Sequence, residues 1–422
     1  MIKNLKINYI ANLLDGGFFG FAIGFASFTA IIPLFVSTMT NSALLIGLIP
    51  AIHNMGWQLP QLLTAKKISK LPRFKPFVMV MTIHERVPFL GLALIAWLLP
   101  VIGNPVALVL TFLMLIWQGL GAGFTANAWQ NLIGKIFPSE YRWTFFGLQS
   151  SAANLLASIG SVTAGIILTH FNHPRLGYTI CFLCACMMLV ISWFALNMTV
   201  EEEKGSGENL TVQNELWKNV GAILKKDIPF RWFLVTRILT QFGTMAFAFY
   251  TVYAVRRHGI SESVAGIMAS VLMMTQVACN PLLGWLGDRW SRKWILEIGA
   301  VCAMLSALLA WLAPNMTTFF IVVILAGIAY TAFWTIGMAL TLDFVTDEEK
   351  PTYVGMANTL IAPAGIIAHL LGGLLADASG YPVTFIVSAA FALVTTLVLH
   401  FFVKSTKSTK TEPVIVSEIN KY

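Results

Sequence analysis

Gly284-Trp285-Leu286-Gly287-Asp288-Arg289-Trp290-Ser291-Arg292-Lys293 puts four charged residues into ten positions of a chain in which only 11% of residues are charged. On either side lies an apolar run, about 262–284 before it and 293–313 after it. A run of about 20 apolar residues, rising about 1.5 Å each, crosses the hydrocarbon core of a bilayer. The quoted segment therefore reads as a short charged loop at a membrane surface, joining two spans. The rest of the chain has the same grain. Hydrophobic residues make up 57% of its 422 positions and mean hydropathy is +0.76, whereas soluble domains carry about 25% charged residues. Such a chain need not bury one large core away from water.

Apolar runs read against breaks of charge, Gly and Pro give twelve spans. They lie at about 8–36, 43–64, 76–100, 104–133, 144–169 and 177–199, then 230–255, 262–284, 293–313, 317–342, 352–376 and 381–403. The first run is too long for the apolar part of a signal peptide and has no convincing cleavage site, so it is read as retained. Four segments follow: a six-helix bundle over 1–199, a linker over 200–229, a second six-helix bundle over 230–403, and a tail over 404–422. The linker opens Glu201-Glu202-Glu203-Lys204-Gly205-Ser206-Gly207 and continues as a short amphipathic helix from Glu215 to Lys226. Short basic loops stay on the cytoplasmic side. Lys3, Lys6, Lys66, Lys67, Lys70, Arg73, Lys75, Lys135, Arg142, Arg289, Arg292, Lys293, Lys350 and the tail lysines fall on one face; Arg175, Arg256 and Arg257 fall on the other. Both termini are thus expected in the cytoplasm, with the chain in a bacterial inner membrane. The net charge of +8 follows from this bias and from anionic lipid, so no nucleic-acid partner is expected.

The second half of the chain repeats the first. A displacement of 208 residues lays Gly119 on Gly327, Glu140 on Glu348, Arg142 on Lys350, Gly147 on Gly355 and Gly165 on Gly373 without a gap. At 203, Gly177, Tyr178 and Phe182 fall on Gly380, Tyr381 and Phe385; at 219, Gly47 and Arg73 fall on Gly266 and Arg292. Ordered matches along both halves indicate a duplicated six-span unit.

The opening loop resembles the signature G-x-x-x-D-R-x-G-R-K of the major facilitator superfamily, with Ser291 in place of the second glycine. By that resemblance Gly284, Asp288, Arg289, Arg292 and Lys293 form a gating loop, in which a carboxylate flanked by basic groups latches helices in one conformation and releases them in another. The equivalent first-half loop, Ala65-Lys66-Lys67-Ile68-Ser69-Lys70-Leu71-Pro72-Arg73, keeps the basic residues but has Ser69 at the acid position. Gln118-Gly119-Leu120-Gly121-Ala122-Gly123 resembles the family's R-x-x-Q-G-x-G segment with Leu115 at the arginine position, and its glycines suit close helix packing. Span five lacks the glycine–proline motif of the family's drug/proton antiporters, which counts against drug efflux. The resemblance implies an all-α membrane protein of twelve transmembrane helices in two pseudo-symmetric six-helix bundles.

Charges within spans are costly and mark function by default; here they are Asp15, Glu85, Arg86, Arg237 and the shallower Glu297. Asp15 and Arg237 sit at like depths in the first span of each half. In the family those spans line the central cavity, so an acid and a base are expected to meet across it, hold a charged substrate or trade a proton. Glu85 and Arg86 are adjacent, point about 100° apart on a helix, and each needs another partner; the third span is usually peripheral in this fold, which favours a structural role for them. Gln118, Asn127, Gln241, Tyr250, Tyr330 and Trp334 lie on spans used by the family for its cavity wall. An aromatic cavity with few fixed charges suits an uncharged, weakly charged or amphiphilic organic solute. His53, His84 and His369 read as satisfied hydrogen-bonding groups, and Cys181, Cys184 and Cys186 as soft packing residues.

Secondary transport by alternating access, with proton coupling through Asp15 and then Glu85, is the leading reading. The expected partners are a small-molecule substrate, membrane lipid and a proton or other coupling ion, for a monomer with no cofactor and no metal. No nucleotide-binding loop appears, and His84-Glu85-Arg86 lacks the second His of a zinc-protease motif, so no enzyme is expected. An exporter of drugs, amphiphiles or lipids and a transport-inactive sensor on the same fold are the alternatives.

Overall fold

Hydrocarbon offers no partner to a backbone N–H or C=O, so a chain of this composition must satisfy those groups within helices. The computed structural model describes residues 2–68, 71–137, 139–171, 174–202, 221, 223–342, 344 and 350–403, and among them every regular element is helical. Ser69, Lys70, most of the expected linker helix and the tail lie outside the described residues, as do the side chains of Asp288, Lys66, Lys67, Arg142 and Lys350. The first half runs through Ile2–Phe25 with Ile31–Ser37, Ala43–Ile68, Lys75–Ile136, Ser139–His170 and Pro174–Asn197. The second runs through Ile228–Gly243 with Tyr250–His258, Glu262–Arg289, Arg292–Leu312, Met316–Thr331 with Gly337–Leu342, Lys350–Ser379 and Tyr381–Phe402. The 62-residue element is two spans: Gly103 takes φ 75°, ψ 161° and breaks it ahead of Pro105. Twelve spans result among the described residues, in the order the apolar runs predict.

Spans one and seven are interrupted, which the apolar runs do not reveal. After Phe25 the Ser27 hydroxyl accepts from Ala30 and Ile31 N–H at 3.0 and 3.2 Å, restarting the helix. After Gly243 a tight turn at Met245–Ala248 is served by span twelve, whose Ser388 hydroxyl donates to the Gly243 carbonyl at 2.8 Å. Side chains thus take over the backbone groups that the breaks release.

Small residues set the distance between spans. Gly16, Gly20 and Gly24 form one stripe of span one, and a methyl group on Gly20 or Gly24 would overlap the carbonyl oxygen of Ala153 or Ala157 on span five. Gly119 and Gly123 both meet Gly56 of span two, while Gly121 meets the backbone of His84 and Glu85 on span three. The glycines of span four therefore pack in two directions.

The halves meet at two seams. Gly266 of span eight lies against Ser161 and Gly165 of span five; Gly47 of span two lies against Phe249 and the His369 carbonyl, and Gly373 of span eleven against Ala43 and Leu44. Those four glycines are two of the matched pairs of the repeat, Gly165 with Gly373 and Gly47 with Gly266. A buried Ser158–Ser270 hydroxyl pair, 2.6 Å apart, also bridges spans five and eight.

Each seam also caps a helix from the opposite half. The first N–H groups of a helix have no partner of their own. Thr169 of span five accepts from the Ser263 N–H of span eight at 2.9 Å. At the other seam the Asp377 carboxylate of span eleven takes the N–H groups of Ala43 and Leu44, the latter at 2.9 Å, and the Ser42 hydroxyl at 2.8 Å. Thr169 falls on Asp377 at a displacement of 208, and Leu44 on Ser263 at 219. Beside Asp377, Arg256 donates to the carbonyls of Ser37, Thr40 and Asn41 at 3.4, 3.0 and 3.4 Å, completing the complementarity of acid to helix start and base to helix end. These contacts close the end of the molecule opposite the linker.

Gly266→Val should wedge the fifth and eighth spans apart, because no conformer of valine avoids the Ser161 carbonyl. The expected outcome is a longer distance between spin labels placed at this end on spans five and eight, with the linker-end distances unchanged.

Candidate functional site

Asp15 projects from the middle of span one, where Gly16 leaves room for Gln149 of span five; Gln149 donates to the Asn12 carbonyl at 2.8 Å. The Asp15 carboxylate accepts from the Ser192 hydroxyl at 2.6 Å and from Arg86 at 3.2 Å. Arg86 also donates to Ser192 at 2.9 Å, to the Leu189 carbonyl at 3.1 Å and to the Thr82 carbonyl at 3.4 Å, and lies 3.9 Å from the Glu85 carboxylate. Two carboxylates therefore share one guanidinium. The three charged residues line a cavity of about 250 Å³ together with Phe19, Trp57 and Gln149, and this cavity runs to Trp129, Gln130 and Leu196 at the linker end.

This differs from the expectation in two ways. Asp15 bonds to Arg86 of its own half, and Glu85 and Arg86 reach the cavity although the third span was expected at the periphery. Close packing is the cause, since Gly121 lets span three approach span four at His84 and Glu85.

Arg237 lies in the second half, on the first helix of span seven. It donates to the Phe333 carbonyl at 3.3 Å, its only hydrogen-bond partner among the described residues. That carbonyl is available because Ala332–Ile336 form a π-helical turn, in which the Gly337 N–H reaches back five residues to Ala332. The guanidinium lies against Gly337, where a side chain would overlap it. Trp334, in the same turn, is half-exposed and stands 5.7 Å from Trp57 of the first half. Tyr330, one turn earlier, is also half-exposed. Gln241, one turn beyond Arg237, lies against Gly365 of span eleven.

Other expected wall residues are placed differently. Tyr250 is buried in the second half, its hydroxyl 3.0 Å from Ser306 and its ring against Phe247 and Phe385. Between it and Gln241 span seven breaks at Met245–Ala248, and Tyr250 opens the next helical segment. Gln118 is buried between spans, 3.1 Å from His53, whose ring stacks on Phe28. Asn127 accepts from Asn131 at 3.0 Å. His84 accepts from Trp117 at 3.2 Å, and both are exposed on the outer surface.

At the gating loop, Arg289 stacks on Trp285 at 4.2 Å, and Lys293 bonds to the His400 carbonyl at 2.8 Å with Glu297 at 3.6 Å. Gly284 has open space beside it. Next to the first-half loop, which has Ser69 at the acid position in sequence, a carboxylate is supplied from the linker. Glu201, at the start of the linker, accepts from the Phe74 and Lys75 N–H groups at 2.9 and 2.7 Å and from Lys135 at 2.8 Å. It ties the start of span three to the end of span four. In the sequence Glu201 stands as one residue of a charge run, and nothing in the chain sets Trp57, Ser192 or Asp377 apart.

A family model described as Major Facilitator Superfamily matches the chain twice, over residues 79–258 and 233–418. The Staphyloferrin B transporter of Staphylococcus aureus (strain NCTC 8325 / PS 47) is 25% identical over 314 residues, 74% of this chain and 73% of the relative. The Purine ribonucleoside efflux pump NepI of Escherichia coli O127:H6 is 28% identical over 155 residues, 37% of this chain and 38% of the relative. Multidrug resistance protein 1 of Bacillus subtilis (strain 168) is 30% identical over 135 residues, so the match spans 34% of that relative. Among solved structures, a D-xylose-proton symporter superposes with TM-score 0.75 at 15% identity, covering 96% of this chain and 99% of the other. The nucleoside transporter NupG gives 0.72 at 14%, covering 94% and 100%. At such identities the likeness to solved structures is one of fold.

Glu201→Gln should remove the charge shared by Phe74, Lys75 and Lys135 while keeping the shape of the side chain. A loss of about 1–3 kcal/mol is expected for a buried charged hydrogen-bonded group. A lower thermal midpoint of the purified protein would register it.

Proposed function

Because the chain belongs to the major facilitator superfamily, we propose that it is a secondary active transporter, moving a small organic solute across a bacterial inner membrane by alternating access. Both termini lie in the cytoplasm in this reading, and the units 1–199 and 230–403 rock against each other across the linker 200–229. The observation that carries the reading is the pairing of a closed end with a cavity running to the other. Glycine seams and helix caps join the halves opposite the linker, and the charged cavity extends from Asp15 toward the linker end. That is the form expected of a transporter facing the cytoplasm.

Coupling is assigned to the cluster of Asp15, Glu85, Arg86 and Ser192. Two carboxylates and one guanidinium carry a net charge of −1 unless one carboxylate holds a proton, and a low-dielectric site favours the neutral form. A proton taken up there also weakens the hold of Arg86 on Asp15, which links protonation to the contact between spans one and three. Export is a second reading, favoured by the word "efflux" in the name of one relative and "resistance" in that of another.

Asp15→Asn should abolish proton-driven accumulation in reconstituted vesicles, for a solute first found by a thermal-shift screen, while exchange of labelled for unlabelled solute continues. Unchanged accumulation would reject the assignment. The same vesicles with the proton gradient reversed separate uptake from export. Asp377→Ala removes a helix cap from the closed end, worth about 1 kcal/mol, so the outward-open population should rise about fivefold, read as labelling of a cysteine introduced at Ala51.

A further inference from the structure

Arg237 presents five N–H donors in a fixed fork, and its one hydrogen-bond partner among the described residues is the Phe333 carbonyl, which takes Nη1. The acids of the cavity are engaged elsewhere: Asp15 bonds to Arg86 and Ser192, and Glu85 lies beside Arg86. A cation within a span is costly and calls for a counter-charge. Two features mark where that counter-charge fits. Gly337 makes room for Nη1 of the guanidinium, and the Nε and Nη2 edge has no hydrogen-bond partner among the described residues. The π turn that exposes the Phe333 carbonyl also carries Trp334, which meets Trp57 on the wall of the charged cavity. Gln241, one turn beyond Arg237, has a carboxamide with no hydrogen-bond partner among the described residues.

We propose that Arg237 and Gln241 form an anion subsite and that the solute is an organic acid with a flat apolar body. This rests on the transport reading and names its substrate class. The carboxylate takes the Nε and Nη2 edge of Arg237 in two parallel hydrogen bonds, and the Gln241 amide donates a third. The flat body lies beside Trp57 and Trp334, whose faces supply apolar contact while the few polar groups fix orientation. The Phe333 carbonyl holds the guanidinium in place before the acid arrives, which lowers the ordering cost of binding. Since the first-half acids remain with Arg86, the solute is the counter-ion of the second half.

The test uses 2-naphthoate and its neutral counterpart 2-naphthamide, with equilibrium dialysis on the full-length protein in nanodiscs. The acid is expected to bind at least tenfold more tightly than the amide. Arg237→Gln should bring the acid down to the level of the amide and leave the amide unchanged; Arg237→Lys, which keeps the charge without the fork, should fall between. Equal binding of acid and amide to the wild type, including no binding of either, overturns the proposal, and so does an acid preference that survives in Arg237→Gln. The wild-type comparison needs no variant and stands even if Arg237→Gln fails to fold. Flux of both compounds in liposomes keeps the two claims apart. Arg237-dependent binding without flux rejects transport and retains the subsite, whereas equal flux of acid and amide retains transport and rejects the subsite.

Discussion

Backbone meets backbone across the two seams between the halves, and most of the architecture follows from that contact. Helices approach this closely only where one partner lacks a side chain, so Gly266 and Gly47 fix where the halves touch, and Gly165 and Gly373 fix how near they come. Proximity then brings the end of one helix to the start of another, and the unpaired N–H groups of spans two and eight find acceptors in the opposite half. A seam of this kind suits a moving part. It holds through many weak dispersion contacts and a few hydrogen bonds at the water's edge, both of which can be exchanged for water or lipid when the halves part.

The duplicated scaffold carries unequal chemistry. At one seam the cap is a carboxylate, Asp377, reinforced by Arg256; at its counterpart the cap is the neutral hydroxyl of Thr169. The first half holds two acids and a base in a self-contained cluster on the cavity, and the second holds a base whose one hydrogen-bond partner among the described residues is a carbonyl. Two equal halves can exchange inward and outward forms with no preference. Unequal charges make each form respond differently to a proton or an anion, and a differential response is what shifts such an equilibrium.

Much of this was legible in the chain. The spans, their order, the duplication and the intramembrane charges are properties of local composition and of register along the sequence. Gly47, Gly165, Gly266 and Gly373, four of the glycines that the repeat matched, are contact points between the halves, because a small residue at both copies reflects the same close approach. The burial of Tyr250 was not legible, because the break at Met245–Ala248 comes between it and Gln241. Nor was the partner of Asp15, because it depends on how near span three lies to spans one and four, and that distance is set by Gly121. Glu201 looked like one more residue of an acidic run, and only the folded chain returns it to Phe74, Lys75 and Lys135.

The sequence by itself determined that this chain crosses the membrane as paired six-span units, because hydrophobic length and charge placement act residue by residue along the chain. Tertiary structure alone decided which charges pair, where spans one, seven and ten depart from the α-helix, and which end is closed. Those outcomes turn on contacts between residues up to hundreds of positions apart, and on backbone groups whose partners are other helices. The loop from Gly284 to Lys293 shows both sides. Its charges mark a membrane surface in any reading, but the bond from Lys293 to the His400 carbonyl exists only once span twelve lies beside span nine.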